Sequence, residues 1–458
     1  MYILLLECII CTAIYTLIAV RELIKQREFS GFFVAIAMYD LVFGIFPTVV
    51  VSELLWDGQE SRFLQSMIDV SDSGIDALIY YYLLSLIGFI VLFLSYHGKI
   101  CLITRKESNS STLRDGNNEE PHFGRFILTA WGCLLVGLIS LYLWSNAYGS
   151  IFNLILEANA VRSGMGSVVN GLAFFKHPAR LVLLCSFLFI ALFFKSQGIF
   201  KKRLYKFVNF IGLIVSLIAS YLFLLACDGR LSIVLFLLAA FWLLLAGKTF
   251  EHVGKVIIGG MTIVFFSLFL LNEMDSITYF IRRGEWVEPE NLLISSMIHE
   301  LTFLPVGGQV SVLASWNNEV HLTLFDDLVT GLFAWFPYSL KPSGFEDVWN
   351  INTILIWGNI NVSHGQWPCS FITQANYDLR FFGVLIYSLI AGRILKGIDK
   401  WQLDDNSLFK IAIKASFMEF IFRGVAYFSF YDIMLGLFPI VIAIIIKCGV
   451  DILLSVRQ

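Results

Sequence analysis

The stretch MYILLLECIICTAIYTLIAVRELIK, residues 1–25, decides the fold class. Its apolar run is long enough to cross about 30 Å of hydrocarbon as a helix, which takes about 20 residues. Its basic residues, Arg21 and Lys25, follow the run instead of preceding it. No small-residue cleavage site closes it. It therefore reads as a first transmembrane helix with its N-terminus outside, not as a cleaved signal.

The same kind of block recurs along the chain. Hydrophobic residues make up 58% of the 458 and charged ones 15%, against about 25% charged in a soluble domain. The mean hydropathy is +0.77. Alternating strands of the barrel type are absent, so helices are the way to satisfy backbone groups in lipid. The expectation is an all-α polytopic membrane protein with about eleven spans. They fall near 2–20, 31–52, 76–97, 125–146, 179–194, 207–226, 231–247, 256–272, 379–395, 409–428 and 433–447. The chain thus divides into spans 1–8 over 1–272, a large loop over 273–378, and spans 9–11 over 379–458.

Lys and Arg set the orientation. Residues 21–27, 99–125, 195–206, 247–255 and 396–400 are short, mostly Lys-rich connections and read as cytoplasmic. The Ser/Asn-rich run 107–120 reads as a flexible loop within this set, and the cytoplasmic loop spans 99–124. Residues 53–74, 147–179, 227–230 and the large loop then face outward, with the C-terminus inside. Two apolar stretches of the large loop, 292–304 and 324–340, carry Asp, Glu or His and read as short helices at the interface or packed on the bundle. A hairpin of two further spans is the alternative, and it leaves the downstream orientation unchanged.

Net charge −3 says nothing about nucleic acid; no Lys/Arg-rich soluble module is there to bind it, so nucleic acid is not expected as a partner. Cys8 and Cys11 form a CxxC inside an apolar helix, where core packing is the preferred reading over metal or redox chemistry. Residues 299–303, HELTF, lack the second His of a zinc HExxH helix. No metal, nucleotide or dinucleotide motif is present, so no cofactor is expected.

The outward basic residues are mostly single Arg. Arg is suited to bidentate contact with phosphate. Arg162, Arg230, Arg282, Arg283, Arg380 and Arg423 are the candidates for an anionic ligand; Arg62 and Arg180 read as headgroup contacts. Arg230 follows Asp228 and Gly229 at a helix start, which makes either a phosphate seat or a turn with an Arg–Asp pair. Arg423 lies on the same helix face as Glu419, an intramembrane pairing expected to face the bundle interior or a wet cavity. Asp40 and Glu7 are intramembrane acids without an assigned partner. For proton transfer, the outward face offers His299, Glu300, Glu319, His321, His364 and Asp378; His364, Glu300 and Asp378 are the chosen candidates. The loop's Trp residues either stack on sugar rings or anchor at the interface.

The order of spans, the single large outward loop between late spans, the Arg162-bearing earlier loop and the segment YDLRFFGVLIY (377–387) together resemble the O-antigen polymerase (Wzy) family. The resemblance implies a glycosyltransferase-C-like membrane enzyme in a bacterial inner membrane. Its substrates would be undecaprenyl-diphosphate-linked oligosaccharides on the periplasmic leaflet. It would transfer the growing glycan from its lipid diphosphate to a sugar hydroxyl of a new repeat unit, in surface polysaccharide (lipopolysaccharide) biosynthesis, with membrane lipid and a chain-length regulator as partners. The chemistry asks for cations on the departing diphosphate and a base for the hydroxyl proton. O-antigen ligases share the architecture, and a flippase or other transporter is a further alternative, against which the lack of an internal repeat counts. A non-catalytic scaffold is the remaining one.

Overall fold

The computed structural model describes residues 1–26, 30–56, 59–99, 123–158, 171–195, 203–227, 230–245, 302–336, 340–358, 366–401 and 408–455, with isolated positions between 262 and 298. These residues are almost entirely helical, with no strand among them. Eight helices are long and apolar enough to cross a membrane. They are α1 (Tyr2–Gln26), α2 (Gly31–Leu55), α4 (Asp72–Tyr96), α5 (Phe123–Ala147), α7 (Gly171–Phe194), α8 (Arg203–Ala226), α13 (Phe371–Lys400) and α15 (Phe430–Ser455). Each coincides with an expected span. Of the other three, 256–272 lies outside the described residues except for Thr262. The other two are α9 (Arg230–Leu245), which is shorter, and α14 (Leu408–Ala426), which carries Lys410, Lys414, Glu419 and Arg423. The chain is a multi-pass α-helical membrane protein.

Helix α1 shows why lipid is its solvent. Leu4, Cys8, Cys11, Tyr15 and Ala19 fall on one buried stripe, at the i, i+4, i+7 spacing of a helix face. Tyr2, Ile3, Leu6, Ile9, Ile10 and Leu17 are exposed on the rest. Exposed apolar surface on this scale is a membrane-contact surface. Cys8 and Cys11 are buried free thiols, in keeping with the packing role expected of them. Cys227 and Cys369 are likewise free.

Two packed groups form the bundle. One joins α1, α2, α4 and α13; the other joins α5, α7, α8, α9, α14 and α15. Asp399 ties one end together by accepting from Gly31 N (2.6 Å), Phe32 N (3.1 Å) and Tyr96 Oη (3.0 Å). The large loop packs on the opposite end, called here the loop end. Its helices are α10 (Phe303–Trp316), α11 (Leu324–Leu332) and α12 (Val348–Trp357). The described part of 292–304 holds only the start of α10, whereas α11 answers the expectation over 324–340. Both are packed on the bundle: Gly308 of α10 meets the Tyr81 ring of α4, and Gly331 of α11 meets Phe430. Two short helices, α3 (Gln59–Met67) and α6 (Ile151–Leu156), complete the loop end.

Helix α13 is not one rod. Leu379 (φ −141°, ψ 20°) and Arg380 (φ 57°, ψ −142°) break it. Phe371 and Tyr387 are sixteen residues apart, about 24 Å along a continuous helix. Their ring centroids are 6.3 Å apart. A Cβ at Gly383 would come within 2.0 Å of Ala375 O. Residues 371–378 therefore run antiparallel beside the first turns of 381–400, as a tight helical hairpin. Gly88 of α4 packs against Ile372, Val384 and Ser388 together, so both arms lean on α4. The span expected from 379 thus has a folded-back arm before it. Residues 368–378 are buried throughout, which is the condition for irregular backbone at membrane depth.

Candidate functional site

The hairpin turn puts two sequence candidates, Asp378 and Arg380, at the loop end, where they bond to different partners. Asp378 is fully buried. Thr323 Oγ1 donates to its Oδ1 at 2.7 Å, and Tyr387 Oη donates to Oδ2. Gln374 Nε2 approaches both oxygens at 3.4 Å and also donates to Asp327 Oδ2. One amide thus faces two carboxyl groups. Burial raises Asp327 well above the usual carboxylate range, and the charges of Asp378 and Asp347 add to it. Asp347 caps α12 by accepting from Trp349 N at 3.0 Å. Burial pushes its carboxyl up to about 6. Cys369 lies among these three acids, and burial raises its thiol.

Arg380 bonds to the segment between α10 and α11. Its Nη1 donates to Ser315 Oγ at 2.7 Å and its Nη2 to Val320 O. Its backbone sits near a region that glycine alone occupies readily, at a cost of about 1–3 kcal/mol. The two guanidinium bonds, with the packing of both arms, offset that cost. Thr323 N also bonds to Tyr377 O at 3.3 Å. The segment 315–323 is therefore held at 315, 320 and 323 by residues 377–380.

This segment forms one wall of an open cleft of about 320 Å³. Glu319, His321, Asp326 and Glu346 supply its polar lining, Ile351 and Leu355 part of its apolar lining. His321 Nε2 and Asp326 Oδ2 are 2.8 Å apart, with the imidazole exposed and the carboxylate mostly buried. The sequence contained His321 and Glu319 as candidates; it did not show that Asp326, five residues on, orients the ring. Asp326 occupies the first turn of α11, where an acid suits the helix dipole.

Arg423 forms an ion pair with Asp432 at 3.1 Å, across the turn from α14 to α15. Glu419, the expected same-face partner, still acts on it electrostatically. Asp432 is nine residues further on, so helix spacing within α14 does not reveal it. The charges of Lys176, Arg180 and Arg423 all bear on the Cys227 thiol at the end of α8. Arg180, read from sequence as a headgroup contact, also acts on Glu419. Three cations, with Glu419 and Asp432 beside them, thus act on one place where α7 begins and α8 and α14 end. Helix α9 starts at Arg230, as the turn before it implies; its side chain is outside the described ones. Arg162, Arg282, Arg283, His299, Glu300 and His364 lie outside the described residues.

Several loop Trp residues are pins. Trp349 Nε1 donates to Phe428 O at 2.8 Å, Trp367 Nε1 to Phe303 O at 3.0 Å and Trp335 Nε1 to Met434 O at 2.5 Å. Trp316 remains about half exposed and packs near Tyr80. Among the intramembrane acids, Asp40 accepts from Thr16 Oγ1 at 2.6 Å. No group of three or more His, Cys, Asp or Glu side chains among the described residues is arranged so that it could hold a metal ion.

Compared with protein-family models, curated proteins and solved structures, the chain matches none.

Proposed function

We propose that this protein polymerises undecaprenyl-diphosphate-linked oligosaccharide repeat units at the periplasmic face of a bacterial inner membrane. The observation that carries this reading is the set of cations Lys176, Arg180 and Arg423, whose charges reach Cys227 beside the Arg423–Asp432 ion pair, at the end of the bundle where the large loop packs. A lipid diphosphate held in the outer leaflet presents its charge at that level. Arg side chains there stabilise the negative charge that builds on the diphosphate as the anomeric C–O bond breaks. Arg162 and Arg230 are read from the sequence as further outward cations for the same charge. The energy of the glycosyl–diphosphate bond makes a nucleotide unnecessary. The orientation follows from the Lys-rich connections at the other end.

The test is reconstitution. Purified full-length protein in lipid is incubated with a defined lipid-linked repeat unit, and products are separated by length. A ladder is expected. Arg180→Gln is expected to slow its formation by about 10²-fold, the scale of losing one charge-stabilising donor, while eluting as the wild type does on gel filtration. A wild-type protein that makes no ladder, or an Arg180→Gln protein of full activity, defeats the reading.

A further inference from the structure

We propose that the cleft between the 315–323 segment and α12 is the acceptor-sugar subsite, that it takes a neutral or amino sugar and rejects an acidic one, and that His321 removes the attacking hydroxyl's proton. This rests on the polymerase reading for its chemistry, but not for the binding preference.

The geometry carries it in three steps. First, the cleft's volume, about 320 Å³, falls where ligand-binding pockets begin, at about 300 Å³. Its wall pairs apolar Ile351 and Leu355 with Glu319, Asp326 and Glu346, and no Lys or Arg is among its described lining residues. Carboxylates accept hydrogen bonds from sugar hydroxyls and from an ammonium group. They oppose a uronate, since like charges placed face to face repel.

Second, His321 is oriented. Its Nε2 lies 2.8 Å from Asp326 Oδ2; an ionised carboxylate only accepts, so Nε2 carries the hydrogen and Nδ1 is the nitrogen open to a proton. Asp326 also stabilises the imidazolium that forms. The logic is that of a carboxylate-oriented histidine base, recognised by geometry and not by position in the chain.

Third, the segment bearing His321 is clamped on both sides. Arg380 holds Val320 and Asp378 holds Thr323. The strained backbone at Arg380 is what lets one hairpin turn supply both clamps. Arg380 and Asp378 are positioning residues in this scheme.

The step balances. His321 Nδ1 takes the proton of the acceptor hydroxyl. The oxygen's electron pair forms the new bond to the donor's anomeric carbon. The bond from that carbon to the diphosphate oxygen breaks, and its electron pair leaves with the lipid diphosphate. His321 then returns its proton to water.

Two measurements on the full-length protein test the proposal. In the first, binding of the methyl glycosides of N-acetylglucosamine, glucosamine and glucuronic acid is followed by saturation-transfer NMR. The first two are expected to bind and the glucuronide to bind at least about tenfold more weakly; a Glu346→Gln, Glu319→Gln double variant is expected to lose most of that discrimination. Equal binding of the glucuronide, or no binding of any of the three, overturns the subsite. In the second, chain extension is timed against pH. His321→Gln is expected to slow extension by about 10²-fold or more and to lose the acidic limb of the wild-type profile. Asp326→Asn is expected to be slow, with rescue by Asp326→Glu. Extension by His321→Gln at the wild-type rate, with the wild-type pH profile, overturns its role. If the wild type makes no ladder at all, the polymerase reading falls and the role given to His321 falls with it; the glycoside measurement still decides the subsite.

Discussion

At the scale of single residues, the loop end is governed by buried carboxyl groups. Asp327 and Asp378 approach one amide nitrogen of Gln374. Two charged carboxylates in that place repel each other and lose their hydration, so Asp327 keeps its proton to higher pH than in the unfolded chain. The linkage has a definite sign. A carboxyl raised on folding binds more protons in the native state, so stability is highest below its unfolded value and falls as pH rises toward its folded one. For Asp347 that window runs from about 4 to about 6; for Asp327 it extends further upward. Thermal unfolding followed by intrinsic fluorescence should therefore give a melting temperature that falls from mildly acidic to neutral pH. Asp327→Asn should flatten that slope. An unchanged slope would place the dependence elsewhere.

Arg423 shows the same scale from the other sign. Its partner Asp432 was invisible in sequence because the pairing crosses a helix-to-helix turn. Asp378 and Arg380 were legible as a concentration of polar groups beside a span. That they face different partners was not, because the direction of each side chain depends on a backbone break between them.

Among the elements, the hairpin of α13 matters most. A run of apolar residues from Phe381 onward reads as a span, and it is one. The eight residues 371–378, FITQANYD, set off from Phe381 by Leu379 and Arg380, look like the tail of a loop because Thr, Gln, Asn and Asp interrupt the apolar pattern. In the fold they are buried, and most of their polar groups find partners: Asn376 donates to Ser311 O at 3.1 Å, Tyr377 Oη to Asn352 Oδ1 at 2.9 Å, and Tyr81 Oη lies 3.2 Å from Thr373 Oγ1, while Gln374 Oε1 has none among the described residues. Close approach of the two arms needs a residue without a side chain at 383. A Cβ there would overlap the Ala375 carbonyl, a backbone atom that cannot swing aside. Gly383→Ala should force the arms apart and destabilise the loop end by about 1–3 kcal/mol, the usual cost of overpacking. The check is hydrogen exchange in 315–323: exchange should rise there in Gly383→Ala, while that of α8, in the other packed group, stays as in the wild type. Unchanged exchange in 315–323 would mean that the hairpin does not hold that segment.

For the whole molecule, sidedness is the measurable property. The connection at 396–400, through Asp399, and the described helices of the large loop lie at opposite ends. In a background with exposed Cys448 replaced by Ser, Glu346→Cys should react with a membrane-impermeant maleimide added outside spheroplasts. Lys99→Cys should react only after the membrane is opened. The reverse pattern would invert the orientation, and with it the leaflet that the proposed function assigns to its substrate.

The sequence by itself determined that the chain lives in a membrane as helices, and where most of them run. Apolar length and the cost of unpaired backbone in lipid are local properties, so a single stretch such as residues 1–25 carries them. Its Lys clusters likewise carry the orientation that the sequence implies. Tertiary structure alone decided that 371–378 folds back along 381–400, that Arg423 meets Asp432, and that His321 is oriented by Asp326 in a cleft walled by α12. Those features depend on which surfaces meet after the chain has turned. Contacts between residues such as Val320 and Arg380, sixty positions apart, leave no periodic trace along the chain.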